Sequence, residues 1–396
     1  MRRSKGEKRE PSAAPATAPP LPAAAPPADE WVLPAVCGVQ AGHGFYVVMV
    51  TLGELAHLFT ATDAKASPAQ RAQRALTKAR VPKIARYLLA NPLGYTLSAL
   101  VGAIDALPRF VPAGERARFG TLCFPRDTPV TVLDGQHRFA AIVQAVREDR
   151  AKKAGGNLAC ETLPVVLFVD CGLERNQQKF ADLNRYAVRP NRSLTLLYDH
   201  RDELAGLART VAEEVPVFAR LTDLEKTSCA DGSPRLFTLG AIHAATRELL
   251  STAPRAPAEA RALALAFWSE VTGAMRDWRA AADGQARPPE LRRTFVHAHA
   301  VALQAIGRAG GAVVRARPDA WREVLRGLGT VNWLRSNATL WEGRALVRGR
   351  VSKSTASVML TANALKLHLG LELGPAEQRL EDARARERSP LPRVAA

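Results

Sequence analysis

The chain has 396 residues, 47% of them hydrophobic, which is enough for two domains, or for one large domain with an appended helical part. Its 55 Lys and Arg exceed 38 Asp and Glu, and the net charge of +17 favours a polyanionic partner, nucleic acid before a membrane surface. No apolar run is long enough to span a membrane, no secretory signal is recognised, and the five cysteines lack metal or disulfide spacing, so a reduced cytoplasm is expected.

The N-terminal stretch is a basic patch followed by Pro/Ala-rich sequence, which cannot bury a core. It predicts a disordered tail over residues 1–28. Ordered structure is expected from about Trp31. The run FYVVMV, residues 45–50, predicts a buried strand, and the amphipathic LGELAHLF follows it.

A basic helix is predicted over residues 71–90, with a restart at Pro82, because proline suits the first turn of a helix. Lys83 and Arg86 follow closely. Three further cations fall on one face of the predicted helix and are expected to lie near DNA phosphates: Arg71, Arg74 and Lys78.

The stretch TVLDGQHRFAAIVQA, residues 131–145, passes from a short β-branched strand into an alanine-rich helix. A glycine directly after a strand permits a sharp turn, and the N-terminus of the following helix attracts anions. Arg138 lies in the first helical turn, where a guanidinium suits bidentate contact with phosphate. The five residues that form this predicted phosphate- or nucleotide-binding turn are Asp134, Gly135, Gln136, His137 and Arg138.

The residues alone leave other interpretations of this turn open. Asp134 can cap the helix or pair with Arg138, with His137 an ordinary exposed residue. In an enzyme, Asp134 would hold a metal, His137 would transfer a proton, and Arg138 would bind phosphate. Such an enzyme would hydrolyse a nucleoside triphosphate with Mg²⁺ or nick DNA. No metal-ligand spacing supports a metal site, and no confident catalytic residue is predicted.

A second polar constellation follows the strand LPVVLFVD, residues 163–170. It reads FADLNRYAVRPNRS and predicts a helix, a loop and a new helix start at Ser193. Its arginines and asparagines suit contact with phosphates or base edges, or else they form the solvated end of a helix. The residues concerned are Asp182, Asn184, Arg185, Arg189, Asn191 and Arg192.

The remainder of the chain is predicted to be mostly helical. We expect a mixed α+β domain over residues 29–200, a helical domain over 201–373, and a charged, disordered tail over 374–396.

Four stretches in order, RALTKARVPKIARYLLANP, DGQHRFAAI, FADLNRYAVRPNRSLTLLYDHRD and VNWLRSNATLWEGRALVRGRVSKS with LTANALKLHLGL, resemble the DGQHR-domain family of DNA sulfur modification proteins, the DndB family. The resemblance covers about residues 31–373 and extends to the ParB/sulfiredoxin-like superfamily. It implies a ParB-like N-terminal domain in which Gly135 and Arg138 bind nucleotide phosphate and Asn184 and Arg185 shape the same pocket.

The functional expectation from this resemblance is a cytoplasmic, non-membrane DNA-binding repressor of the genes for DNA phosphorothioate modification. Its partners would be double-stranded promoter DNA, other DNA sulfur modification proteins and further copies of itself as a homo-oligomer. The DNA contacts are expected from Arg71, Arg74, Lys78, Arg185, Arg189 and Arg192. Cys37 is expected to be a structural thiol rather than a sulfur sensor.

Overall fold

The structure is a computed structural model, and it describes residues 29–60, 76–115, 118–152, 156–169, 172–185, 191–251 and 256–388. The predicted tail over 1–28 and the cations Arg71, Arg74 and Arg189 lie outside these ranges, and Lys78 is described only in its backbone. The chain divides into two compact units between Val188 and Arg189, and each unit is described by itself.

The first unit is built on one mixed sheet. Its strands are β1 (Glu30–Gln40), β2 (His43–Thr51), β3 (Leu100–Ile104), β4 (Arg109–Pro112), β5 (Phe119–Pro125), β6 (Val130–Asp134) and β7 (Thr162–Val169). Their order across the sheet is β4-β5-β1-β2-β7-β3-β6. The neighbouring strands are antiparallel except β3 and β7, which run parallel, so β6 lies at one edge of the sheet.

Four α-helices accompany this sheet in the described part of the first unit: α1 (Leu55–Leu58), α2 (Val81–Ala90), α3 (Gln136–Arg150) and α4 (Leu173–Arg185). Helices α2 and α3 pack against each other, and α4 lies against β6. Because successive strand residues face opposite sides, Leu33, Val48 and Val165 enter one core together with Leu88 and Ile142 of the helices. Short 3-10 helices span Lys78–Arg80 and Leu158–Cys160.

Several elements predicted from sequence periodicity are confirmed. The runs at 45–50 and 163–170 lie within β2 and β7, although Asp170 is outside the described residues. The restart at Pro82 is also confirmed, because this proline occupies the first turn of α2. The strand expected over 95–105 is shorter and begins only at Leu100.

The second unit is mostly helical. Its helices are α5 (Arg192–Tyr198), α6 (Glu203–Glu214), α7 (Pro216–Leu221), α8 (Leu239–Leu250), α9 (Pro257–Ala274), α10 (Arg276–Ala282), α11 (Pro288–Thr294), α12 (Ala300–Ala316), α13 (Trp321–Arg326), α14 (Ala338–Trp341), α15 (Thr355–His368) and α16 (Pro375–Arg388). Short 3-10 helices span Val296–Ala298 and Gly327–Thr330. Two small two-stranded sheets pair β8 (Thr222–Asp223) with β9 (Phe237–Thr238) and β10 (Leu346–Val347) with β11 (Arg350–Val351).

Helix α12 lies at the centre of this unit and packs against α8 and α15. Its close approach to α8 depends on two glycines. A Cβ atom on Gly307 would lie 2.1 Å from the carbonyl oxygen of Ala245, and one on Gly311 would lie 2.7 Å from that of Leu249. Any larger residue at either position would therefore push the two helices apart.

The charged segment expected to be a disordered tail, residues 374–396, contains helix α16 over Pro375–Arg388. Two ion pairs hold it: Lys366 Nζ lies 2.5 Å from Glu377 Oε1, and Arg344 Nη2 lies 2.7 Å from Glu381 Oε2. The expectation of disorder is therefore corrected for these residues, because their charges have structural partners. The last eight residues lie outside the described ranges.

The mixed sheet of the first unit and the helices of the second confirm the α+β class. The ParB-like topology of the first unit stays a prediction. None of the helices in the described ranges is long and apolar enough to cross a membrane.

Candidate functional site: the DGQHR turn and the basic face

The DGQHR turn, residues Asp134–Arg138, joins the edge strand β6 to helix α3. Gly135 is the N-cap of α3 and has φ = +95°, a left-handed conformation that glycine adopts without a Cβ penalty. A Cβ atom at this position would lie 2.4 Å from Leu100 Cδ2. No side chain caps the helix, so Asp134 is the last residue of the strand and not the N-cap.

Arg138 holds this turn together. Its Nη2 donates to Asp134 Oδ2 at 2.7 Å, and its Nη1 donates to the carbonyl oxygens of Ser98 and Ala99 at 2.6 and 2.7 Å. The Ser98 hydroxyl is a further acceptor of Nη1. Both terminal nitrogens of the guanidinium are thus bound within the protein, and the arginine's charge has a carboxylate partner.

The sheet topology explains how residues 40 positions apart meet here. Strands β3 and β6 are antiparallel, and Val101 pairs with Asp134, so the chain entering β3 lies beside the end of β6. Arg138 reaches from the first turn of α3 to carbonyls that precede the first residue of β3, and thereby joins both strands to the helix. The side chain is only 21% exposed, against 40% for Asp134.

His137 connects the turn to the start of the basic helix. Its Nε2 accepts a hydrogen bond from the backbone N–H of Thr77 at 2.9 Å. An acceptor nitrogen carries no proton, so the ring uses Nε2 in its deprotonated state. Thr77 immediately precedes the 3-10 helix Lys78–Arg80, which runs into α2. The first turn of α3 therefore fixes where α2 begins.

Helix α2 presents what we call the basic face: Arg80, Lys83 and Arg86. Their spacing of three residues places them on one side of the helix, and all three are exposed. Within the described ranges none of them forms an ion pair with a carboxylate. Ala85 and Leu88 occupy the opposite, buried side. Sequence reasoning noted Lys83 and Arg86 and missed Arg80, although its spacing signals the same face.

The second predicted constellation is divided between the two units. Asp182, Asn184 and Arg185 lie in α4, whereas Arg192 begins α5 with Asn191 as its N-cap. Asn184 Nδ2 donates to the carbonyl oxygen of Phe180 at 2.9 Å, so this amide is used within its own helix. Arg185 is exposed in the last turn of α4.

Asp182 lines a cavity of about 580 Å³ in the first unit, together with Arg175, Lys179 and the tip of the β1–β2 hairpin. Its Oδ1 accepts from Gln178 Nε2 at 2.8 Å. The ammonium of Lys179 lies 5.1 Å from the centre of the Phe168 ring and donates to the carbonyl oxygen of Val169. The cavity is separate from the DGQHR turn in its lining residues.

The donor set at the turn does not fit a magnesium-bound nucleotide. Asp134 is the only carboxylate of the DGQHR turn, and it is already paired with Arg138. Among the described residues, no group of three or more His, Cys, Asp and Glu side chains is placed to hold a metal ion. Cys37 lies in β1 opposite Tyr46 as a half-buried free thiol.

These features define an α+β protein whose first unit fixes an exposed basic helix through a glycine turn. Residues 33–372 match the family model of the DNA-sulfur modification-associated proteins, DndB. The chain belongs to this family, as its resemblance to the DGQHR-domain proteins predicted. No curated protein and no solved structure matches the chain.

Proposed function

We propose that the protein is a DNA-binding regulator that represses the genes of a DNA phosphorothioate modification system. The family links the chain to DNA sulfur modification. Its partners would be double-stranded DNA upstream of the modification genes and other proteins of the same system. A homo-oligomer would match the two-fold symmetry common in operators.

The observation that carries this proposal is the basic face of α2. Arg80, Lys83 and Arg86 are exposed and have no carboxylate partner in the described part of the chain, so their charges are available for DNA phosphates. Cations of this kind provide affinity and set the orientation of a protein on the duplex. The predicted contacts Arg71, Arg74 and Lys78 precede the same helix in the sequence, so they would extend this face towards its N-terminus.

In this proposal the DGQHR turn positions the DNA-contacting helix instead of binding phosphate with Arg138. His137 holds the start of the helix, and Arg138 holds the turn that carries His137. Loss of Arg138 would then weaken DNA binding by displacing α2. Predicted contacts from Arg185, Arg189 and Arg192 remain part of the proposal as predictions from the sequence.

The test is a titration of duplex DNA from the gene's own upstream region, compared with shuffled DNA of the same length and composition. Wild type should prefer the upstream duplex, and its affinity should fall steeply with KCl. The K83Q/R86Q variant should lower the log–log salt slope by about 0.9 per lost phosphate contact. The matched control is R317Q/R326Q, which removes the same charge from two exposed arginines of the second unit.

Equal affinity for upstream and shuffled DNA would refute the repressor role. Equal salt slopes for the basic-face variant and its control would refute the assignment of this helix.

The enzymatic alternative assigns Asp134, His137 and Arg138 to nucleotide hydrolysis or DNA nicking. It requires Arg138 to release the carbonyls of Ser98 and Ala99 before it can reach a substrate phosphate. Release of inorganic phosphate from a nucleoside triphosphate, or nicking of supercoiled plasmid, with Mg²⁺ or Mn²⁺ and loss in R138Q, would favour this alternative over the repressor.

A further inference from the structure

A pocket of about 220 Å³ opens in the second unit between the beginnings of two helices, α8 and α15. Thr238, the N-cap of α8, lines it, and so does Lys353, which precedes the N-cap Ser354 of α15. Hydroxyl-bearing Thr227 and Ser228 also line the pocket. This volume is below the range typical of pockets for whole drug-sized ligands, so the pocket suits a small group.

Two cations of the second unit lie close together beside this pocket. Arg192 is near enough to Lys353 for its positive charge to act on the ammonium. In the part of the chain that the structure describes, neither side chain forms an ion pair with a carboxylate. Lys353 keeps solvent contact at the mouth of the pocket, but partial burial of its ammonium, followed by the charge of Arg192, lowers its pKa.

The partner of Arg192 within the protein is a neutral one. Its Nη2 lies 3.4 Å from Nδ1 of His243, a side chain that is 6% exposed and whose Nε2 has no hydrogen-bond partner among the described residues. Burial, together with Arg192, lowers the pKa of His243, so the ring is neutral. Asp202 acts on His243 electrostatically, but its carboxylate caps α6 through the N–H groups of Leu204 and Ala205.

The two helix beginnings add positive potential to these cations. Helices α8 and α15 have 12 and 14 residues, and the N-terminal end of such a helix carries a partial positive charge. Ser193, the neighbour of Arg192, accepts from the N–H of Gly240 at 3.2 Å, which places Arg192 at the beginning of α8. Arg292 also lines the pocket, but its guanidinium is bound to backbone carbonyls and forms part of the wall.

We infer that this pocket binds a phosphate group, held by Arg192 and Lys353 with the hydroxyl groups of the pocket wall. Two adjacent cations without a carboxylate partner among the described residues, at the positive ends of two helices, are best stabilised by an oxyanion from outside the chain. The phosphate can belong to a small molecule or to the DNA backbone. The site goes beyond the proposed function, because it lies in the second unit and does not involve the basic face of α2.

The test uses the full chain and three probes: inorganic phosphate, adenosine monophosphate and duplex DNA. Wild type is compared with K353Q, R192Q and the conservative K353R, and with R317Q as a control for the loss of one exposed positive charge. Calorimetry measures the two small probes, and fluorescence anisotropy measures DNA between about 50 and 200 mM KCl. Melting temperatures show whether each variant is folded. K353Q should not be destabilised, because it relieves a repulsion between like charges.

If the phosphate comes from a small molecule, wild type binds one of the small probes. Both K353Q and R192Q then weaken this binding about tenfold or more, the amount expected for a charge-assisted hydrogen bond, while K353R and R317Q retain it. If it comes from DNA, the small probes do not bind, and the log–log salt slope for DNA falls by about 0.9 in K353Q but not in R317Q.

The inference is overturned if wild type binds neither small probe and the DNA salt slope of K353Q equals that of R317Q. Because the small-probe arm needs no DNA, the site can be confirmed even if the repressor proposal fails.

Discussion

The two units use their positive charges differently. In the first unit the basic face of α2 is exposed and has no carboxylate partner among the described residues. In the second unit several cations are buried and bound: Arg292 donates to backbone carbonyls, and Lys366 pairs with Glu377. Arg138 of the first unit belongs to the bound class as well.

This difference shows that a net charge of +17 does not by itself locate a nucleic-acid interface. A bound arginine contributes to the formal charge, but its donors are already used, and removing it affects the fold before it affects a partner. The two classes are separated by the effect of a substitution. Bound cations should control stability, and cations of the basic face should control affinity alone.

The largest effect is expected for Arg292. Its Nη2 donates to the carbonyl oxygens of Ala230, Asp231 and Ser233 at 2.8 to 3.0 Å, and its Nη1 binds that of Arg235. R292M keeps the hydrocarbon stem but leaves these carbonyls without a donor. The free energy of unfolding should fall by about 3 kcal/mol or more.

Tryptophan fluorescence during urea unfolding measures this change, because five of the six tryptophans lie beyond residue 260 in the second unit. The control is the exposed neighbour in R293M, which should change the free energy of unfolding by no more than about 0.5 kcal/mol. Equal stability of the two variants would show that the guanidinium does not hold the loop.

A smaller effect is expected at the DGQHR turn, where two glycines with nearly equal backbone angles can be compared. Gly135 has φ = +95° and Gly172 has φ = +96°, but only at Gly135 do other atoms lie within 4 Å of the position that a Cβ atom would take. G172A should cost about 1 to 2 kcal/mol for the left-handed backbone. G135A should cost more, since its methyl group would contact Leu100 and Arg138.

Thermal unfolding followed by circular dichroism, with hydrogen exchange of the α3 amides, measures both variants. If G135A and G172A lose the same stability, Leu100 moves aside freely, and close packing around Gly135 does not stabilise the turn.

A moderate, pH-dependent effect is expected from His297 in the core of the second unit. Its Nδ1 accepts from Trp278 Nε1 at 3.0 Å, so the proton lies on Nε2, which donates to Asp277 at 3.0 Å. Burial lowers the pKa of His297 below its ordinary value near 6.5 despite this carboxylate. The unfolded chain therefore binds a proton that the folded chain does not, and stability falls as the pH drops below about 6.5.

Burial also lowers the pKa of His243 and His299, so the same direction is expected from all three rings. Melting temperatures between about pH 7.5 and 5.5 should fall in wild type, and the slope should be smaller in H297Q. The exposed His200 provides the control variant H200Q, which should keep the wild-type slope. An unchanged slope in H297Q would contradict the assignment of a neutral, buried ring.

The smallest effect on stability is expected for the basic face itself. K83Q/R86Q should change the free energy of unfolding by no more than about 0.5 kcal/mol, because these side chains have no described carboxylate partner to lose. Chemical unfolding checks this. A clear loss of stability in this variant would remove the distinction between the two classes of cation.

The sequence predicted the elements whose signals are local. The strand VTVLD, the glycine and the helix after it follow from periodicity and from one left-handed position, and the restart at Pro82 follows from proline geometry. Strand β1 has no such signal, because EWVLPAVCGVQ contains Pro34 and does not alternate. It is stabilised by pairing with β2 on one side and β5 on the other, which only the folded sheet provides.

The candidate site was predicted in its residue types but not in its contacts. The sequence brings Asp134 and Arg138 together by their spacing of four, and this pair forms. Ser98, Ala99 and Thr77 carry no sequence signal, because they contribute backbone groups that nearly every residue has. The phosphate contact expected of Arg138 could not be weighed against these acceptors without the sheet topology.

The bond between His137 and residue 77 has a consequence for how this chain can vary. The donor is the backbone N–H of Thr77, so the threonine side chain takes no part in the bond. Position 77 is therefore free to change to almost any amino acid without loss of the contact. Proline is the exception, since it lacks the N–H, and it would separate the motif from the helix that the motif positions.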